Sequence, residues 1–171
     1  MYTVNTILVC YATRYGSTPA IARLIGEELQ LAGYTVTVRP IAQVDDPGKY
    51  DAIVIGSPLY MGKWLVEARD FVSRFRYPLQ DRPVAVFSVG YSLRDRTVEH
   101  LKSGEEALAA IRLFISPVSC GFFPGKVDPD QMSPADRAMV ALGGAVPGDF
   151  RDPDLVRVWA RELAGLPAFH G

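Results

Sequence analysis

The fold class follows from the stretch ILVCYATRYGST, residues 7–18. Its first part, Ile7 to Tyr11, is a continuous apolar run, which is typical of a strand covered on both faces. Its second part, Thr13 to Thr18, carries three hydroxyl side chains and one glycine. The next segment, Ser17 to Leu31, has apolar residues at helical spacing and stops at Gly33, as a helix followed by a C′ glycine would. A buried strand, a polar loop and an amphipathic helix predict the start of a βαβ unit.

The same alternation continues along the chain. Further strands are predicted at Tyr34 to Arg39, Asp51 to Gly56, Pro83 to Val89 and Ile115 to Phe123, with a turn after the second of these at Ser57 and Pro58. Helices are predicted at Trp64 to Phe75, Val98 to Phe114 and Asp154 to Leu163. Strands joined by helical crossovers predict an α/β, doubly wound fold, in which a parallel sheet of five strands has helices on both faces.

Length and composition predict one domain over residues 1–171, with 49% hydrophobic residues. The segment at about 124–150 departs from the βαβ repeat, because glycines and prolines surround a single short helical stretch, Ala135 to Leu142. We therefore predict an ordered but irregular insertion there, placed before the last helix.

Charge and cysteine content exclude several classes of partner. Eighteen basic and 19 acidic residues give a net charge of -1, so bulk attraction to nucleic acid is not expected. No apolar run reaches the roughly 18 residues of a membrane span, and the short apolar stretch near the start does not resemble a signal peptide. Cys10 and Cys120 stand on strands that should not be neighbours, without metal-type partners. A reduced, cytoplasmic setting is the expectation.

The first loop predicts an anion site. In open α/β sheets ligands bind beyond the carboxyl ends of the strands, and Thr13 to Thr18 lies there, at a helix N-terminus. Thr13, Ser17 and Thr18 offer hydroxyl donors, and Gly16 permits close backbone approach. The loop lacks the Gly-Lys-Ser/Thr of a P-loop and is not Gly-x-Gly-x-x-Gly. The simpler alternative is a helix start capped by Ser17 or Thr18.

Two further loops at the same edge contain glycines and aromatic residues. Together, the three loops would enclose a flat aromatic phosphate ester, whereas the simpler alternative packs Tyr60, Met61 and Trp64 on a neighbouring helix. The candidate binding residues are Thr13, Arg14, Tyr15, Gly16, Ser17, Thr18, Ser57, Pro58, Leu59, Tyr60, Met61, Gly62, Ser88, Val89, Gly90, Tyr91 and Arg94.

These three loops resemble those of the flavodoxin superfamily, and the resemblance extends over nearly the whole chain. Thr13-x-Tyr15-Gly16-x-Thr18 is similar to its phosphate loop, Ser57 to Gly62 to the loop beside the reactive edge of the flavin, and Ser88 to Arg94 to the loop on the pyrimidine side. The resemblance implies FMN as cofactor and the strand order 2-1-3-4-5. Pro147 to Asp152 resembles a branch that includes menaquinone-dependent protoporphyrinogen oxidase.

The resemblance implies an FMN-dependent oxidoreductase that passes electrons to a quinone, a porphyrinogen or a similar acceptor. Classical flavodoxins are strongly acidic, whereas this chain has a net charge of -1, which favours an enzyme over a general electron shuttle. The same charge argument also leaves open the alternative, a non-enzymatic carrier that serves a dedicated redox partner protein. No side chain is assigned to catalysis and no metal is predicted, because the chemistry would take place on FMN. A cofactor-free response-regulator-like module is disfavoured, because Thr13 and Ser57 stand where acidic residues would be needed.

Overall fold

A computed structural model describes residues 3–170 as a parallel sheet between two layers of helices. The strands are β1 (Thr6–Tyr11), β2 (Thr35–Pro40), β3 (Ala52–Tyr60), β4 (Lys63–Trp64), β5 (Val84–Val89), β6 (Ser119–Phe123), β7 (Lys126–Val127) and β8 (Gly148–Asp149). The α-helices are α1 (Ser17–Leu31), α2 (Val66–Arg74), α3 (Arg76–Gln80), α4 (Val98–Glu106), α5 (Ala109–Arg112), α6 (Pro134–Leu142), α7 (Pro153–Ala164) and α8 (Pro167–His170).

The main sheet has the strand order β2-β1-β3-β5-β6, and all four of these pairings are parallel. Counting the five predicted strands in chain order, this is the order 2-1-3-4-5, so the predicted fold class is confirmed. Because β1, β3 and β5 are parallel, their carboxyl ends lie at the same edge of the sheet. The strand order reverses between β1 and β3, and ligands of open α/β sheets bind at such a point.

Alternate side chains of the central strands fill two separate cores. Ile7 and Val9 of β1 pack with α1 and α7 on one face, and Leu8 and Cys10 pack with α2 and α5 on the other. The continuous apolar run of β1 is therefore explained by burial on both faces. Gly33 follows α1 with a φ of 104°, the left-handed conformation predicted for its C′ position.

Several predicted boundaries were wrong. The strand predicted to turn at Ser57 and Pro58 instead continues to Tyr60, because Ser57 and Pro58 pair with Ser88 and Val89 of β5. Trp64, predicted to begin a helix, lies in β4, which pairs antiparallel with β3.

The second half of the sheet also differs from its predicted boundaries. The helix predicted over 98–114 is divided into α4 and α5, since the amide of Leu108 donates to Glu105 in a tighter turn. The last strand begins only at Ser119, two residues after Pro117, which has no N–H to donate to a ladder.

The segment at 124–150 forms ordered structure beside the main sheet. β7 and β8 pair antiparallel at its two ends, and α6 lies between them. Ser133 caps α6, since its hydroxyl accepts a 3.2 Å hydrogen bond from the amide of Asp136. This segment stands against the edge where the carboxyl ends of β1, β3 and β5 meet, because the amide of Lys126 donates to the Ser17 hydroxyl at 3.0 Å.

Candidate functional site

A cleft of about 160 Å³ lies at the carboxyl ends of β1, β3 and β5. The three predicted loops supply one part of its lining, namely Arg14, Tyr15, Ser17, Thr18, Pro58, Leu59, Tyr60, Val89, Gly90 and Tyr91. The structure thus brings residues of all three loops together. The remaining lining comes from the 124–150 segment and consists of Gly125, Lys126, Val127, Met132, Asp136, Met139 and Val140.

Other candidate residues stand in the same loops but outside the lining of this cleft. They are Thr13, Gly16, Ser57, Met61, Gly62, Ser88 and Arg94. Ser57 and Ser88 are fully buried and serve internal hydrogen bonds: Ser57 accepts from the amide of Leu65 at 3.0 Å, and Ser88 accepts from the indole of Trp64 at 2.8 Å. Trp64 itself is 1% exposed and belongs to the core.

The loop after β1 leaves the first turn of α1 without a side-chain cap. Gly16 is the N-cap residue, with a φ of 87°, and Tyr15 before it has a φ of 70°. The alternative in which Ser17 or Thr18 caps the helix is therefore wrong, since both residues lie within α1. The free N–H groups and the positive end of the helix dipole at this turn favour an anion.

The loop after β3 is a tight hairpin. Tyr60 pairs with Lys63 across the two residues Met61 and Gly62, whose φ values are 53° and 73°. Positive φ at both central positions is the requirement of a type I′ turn, which suits the twist of the paired strands. Met61 is 74% exposed at the tip of this hairpin, although left-handed backbone is uncommon for a residue with a long side chain.

The loop after β5 places Tyr91 against the 124–150 segment. The Tyr91 hydroxyl accepts a 3.0 Å hydrogen bond from the amide of Val146, and its ring meets that of Phe150 edge-on at 5.4 Å. The Arg94 guanidinium lies 3.9 Å from the centre of the same ring. Arg94 therefore covers one face of the Tyr91 ring, and Val146 and Phe150 of the 124–150 segment contact its hydroxyl and its ring.

None of the lining residues from the 124–150 segment was predicted from the sequence, and Asp136 of α6 makes the most contacts to the predicted loops. Its carboxylate accepts hydrogen bonds from the guanidinium of Arg14 at 2.6 and 3.2 Å, from the hydroxyl of Tyr60 at 2.6 Å, and from the hydroxyl of Tyr15. Arg14 also covers the ring of Tyr60, at 4.2 Å from its centre. One carboxylate thus joins two of the three predicted loops to the insertion.

These contacts stabilise the ionised carboxylate. Hydrogen bonds from Tyr15, Tyr60 and Arg14 hold the pKa of Asp136 well below its usual range, and the bond to Asp136 raises the pKa of Tyr60. A sequence signal for Asp136 did exist. It stands three and four residues before Met139 and Val140, so all three share one face of α6.

A second groove, of about 380 Å³, shares Arg14 and Tyr60 with the cleft, and we call it the outer groove. The groove carries the cationic side chains of Lys63 and Arg69 beside Glu67. Its apolar surface includes Met61 and Val66, which are 74% and 57% exposed. The groove therefore offers both apolar contact and net positive charge next to the hairpin.

A doubly wound sheet with an anion-favouring helix N-terminus and two aromatic loops at its carboxyl edge defines the class of flavodoxin-like proteins. The flavodoxin domain model matches residues 8–153. The chain therefore belongs to the flavodoxin domain family. The family predicted from the sequence is thus confirmed. Because flavodoxin domains bind FMN, the predicted cofactor is confirmed as well.

Solved structures support the same fold. A short-chain flavodoxin associated with a non-canonical PDU bacterial microcompartment covers 94% of this chain and 97% of its own, with a TM-score of 0.58 at 20% identity. The flavodoxin, WrbA-like protein from Agrobacterium tumefaciens covers 99% of this chain and 100% of its own, with a TM-score of 0.57 at 17% identity. At these identities the likeness concerns the fold.

Among curated proteins, the chain is similar to protoporphyrinogen IX dehydrogenase (quinone) of Escherichia coli, with 29% identity over 89 residues. The match covers 51% of this chain and 49% of the relative, so the chain spans about half the length of the curated relatives it matches. Within residues 3–170, none of the helices has the length and apolarity needed to cross a bilayer.

Proposed function

We propose that this protein is an FMN-dependent oxidoreductase that passes electrons from bound FMN to a quinone, a porphyrinogen or a similar acceptor. The observation that carries the proposal is that Arg14 and Tyr60 line both the cleft at the phosphate loop and the outer groove. A cofactor in the cleft and an acceptor in the groove would therefore both contact these two side chains.

The residues of the cleft fit FMN. The uncapped first turn of α1 would hold the phosphate, with hydroxyl donors from Ser17 and the buried Thr18. The aromatic rings of Tyr60 and Tyr91 would contact the ring system, and the Tyr60-Met61-Gly62 hairpin would lie beside it. Bound FMN would supply the electron-transfer chemistry, while these side chains bind it and exclude water.

The outer groove supports an acceptor with an apolar body and an anionic or polar substituent. Its volume is about 380 Å³. Met61 and Val66 provide apolar contact, and Lys63 and Arg69 provide positive charge. Both predicted acceptor classes, quinone-like and porphyrin-like, meet this description.

A carrier role is the second candidate, and one observation favours it. The side chain of Met61 is 74% exposed at the tip of the hairpin, where a docking protein would cover it. We also propose that the 124–150 segment is an insertion within one flavodoxin-like domain, and that the protein works in the cytoplasm, where Cys10 and Cys120 stay reduced.

Two measurements test the proposal. FMN added to the apoprotein should bind at one equivalent, in preference to FAD, and should give a yellow protein. The bound flavin is then photoreduced without oxygen and mixed with increasing concentrations of a short-chain quinone. A reoxidation rate that saturates with quinone indicates an acceptor site and therefore an enzyme. A rate that rises linearly without saturation indicates a carrier, and failure to bind FMN rejects both roles.

A further inference from the structure

The 124–150 segment crosses the cleft and is attached on both sides of it. On one side, Asp136 accepts from the loop after β1 and from Tyr60 of β3. On the other side, the amide of Val146 donates to the hydroxyl of Tyr91 in the loop after β5. The first attachment lies in the first turn of α6 and the second lies four residues beyond its last residue, Leu142, so the helix lies between them along the chain.

The middle of the segment presents apolar side chains to the cleft. Met132, Met139 and Val140 line it opposite Leu59 and Val89, which belong to the main sheet. The rest of α6 is mostly exposed, so its contacts to the sheet are few. Asp136, whose side chain is only 6% exposed, is the buried residue of the helix.

We infer that Asp136 is a positioning residue, which holds α6 as the third wall of the cofactor cleft and so controls the release of FMN. The inference rests on the proposed function, because it takes FMN as the occupant of the cleft. The physical basis is the unequal strength of the attachments on the two sides of α6. The Asp136 carboxylate accepts charge-assisted and phenolic hydrogen bonds and is only 6% exposed, whereas the segments before and after the helix are attached by hydrogen bonds between neutral groups and by the contact between the rings of Tyr91 and Phe150.

Removing the charge of Asp136 should therefore release the helix without unfolding the sheet. Segments with few buried apolar contacts open locally at low free-energy cost. Asp136→Asn keeps the size of the side chain but weakens every bond that the carboxylate accepts. Its matched control is Asp130→Asn, an exposed position in the same segment that lies outside the cleft lining.

The first readout needs no cofactor. Trypsin cleavage after the exposed Arg137 in the middle of α6 is followed by mass spectrometry on the folded apoprotein. Each rate is divided by the rate for an unstructured peptide with the same sequence around Arg137, because residue 136 itself affects trypsin. After this division Asp136→Asn should be cleaved roughly tenfold faster than the wild type, and Asp130→Asn should be unchanged. Equal cleavage rates in the wild type and Asp136→Asn would overturn the inference, whatever the cofactor.

The second readout is the rate of FMN release, measured by trapping with excess apoflavodoxin. Asp136→Asn should raise it by a similar factor. Tyr60→Phe removes one donor and should raise it less, and the double variant should resemble Asp136→Asn alone, because both substitutions break the same bond. A wild-type protein that binds no FMN would reject the proposed function. Binding with equal release rates in all variants would reject only the role of Asp136.

Discussion

The hydroxyl of Tyr60 donates a 2.6 Å hydrogen bond to the carboxylate of Asp136, although 76 residues separate them in the chain. Tyr60 ends the third strand, and Asp136 lies in the first turn of α6. Arg14 completes the contact, since it is bonded to the carboxylate and lies over the tyrosine ring. The hairpin beside the proposed cofactor site is therefore coupled to a helix that lies outside the main sheet.

The first prediction concerns acid. Because the folded-state pKa of Asp136 lies below its usual value, its contribution to the free energy of unfolding is complete above the unfolded pKa of about 3.9 and is lost as the pH falls below it. Urea unfolding between pH 7 and pH 3 should therefore show a smaller acid-induced loss in Asp136→Asn than in the wild type. Asp130→Asn should match the wild type, and parallel curves for Asp136→Asn would contradict the assignment.

The second prediction concerns the phosphate. Replacing Ser17 by alanine and Thr18 by valine in one protein removes two hydroxyl donors of the cleft at nearly constant size. Loss of partners for a buried anion costs about 1–3 kcal/mol per group, so the Kd for FMN should rise at least about thirtyfold. Titration of the apoprotein by flavin fluorescence measures it. Thr35→Val, on the exposed start of β2, is the control, and an unchanged Kd in the double variant would refute the placement.

The third prediction concerns the aromatic walls. Tyr60 and Tyr91 should stack on the flavin and quench its fluorescence, with each contact worth about 0.5–1.5 kcal/mol beyond its buried area. Tyr91→Ala or Tyr60→Ala should therefore weaken both the quenching and the affinity. Tyr77→Ala, an exposed tyrosine on α3, should change neither. If both site variants keep the wild-type fluorescence and Kd, these rings serve packing alone.

The fourth prediction concerns the redox potential. Lys63 is an exposed residue of the hairpin, where its positive charge would stabilise the anionic, fully reduced flavin of the proposed site. At about 8 Å and an effective dielectric near 40, one charge contributes on the order of 1 kcal/mol, or roughly 40 mV. Lys63→Glu should lower the potential of the second one-electron reduction, and by less at high salt. Lys49→Glu, at an exposed position before β3, is the control and should leave this potential unchanged. If Lys63→Glu also leaves the potential unchanged at low salt, the role of Lys63 is refuted.

The fifth prediction concerns the sheet. A Cβ atom at Gly56 would overlap the ring of Phe87 in the neighbouring strand. Gly56→Ala should therefore reduce the free energy of unfolding by about 1–3 kcal/mol through overpacking, as measured by urea denaturation. Gly165→Ala at the end of α7, where the nearest atom is 3.5 Å away, should change it little. Equal stability of the two variants would show that the core can absorb the added methyl group.

Local sequence patterns were sufficient to predict the main strands and helices and the three loops at the carboxyl edge of the sheet. The apolar run at Ile7 to Tyr11 predicted a strand buried on both faces, and Gly33 predicted the end of α1, because burial and left-handed backbone both leave a signal within a few residues. The three loops were predicted for the same reason, since each follows a recognisable strand. The prediction of FMN as the cofactor came from the resemblance of these loops to those of flavodoxins.

The contacts that shape the cleft depend on distant parts of the chain. β3 extends to Tyr60 because β5 and β4 supply hydrogen-bonding partners, and neither partner is visible in the sequence around Ser57. Helical spacing places Asp136 on the face of α6 that carries Met139 and Val140, but this local pattern does not show what the carboxylate contacts. Its role depends on three donors more than 70 residues away, which only the folded arrangement of β1, β3 and α6 brings within hydrogen-bonding distance.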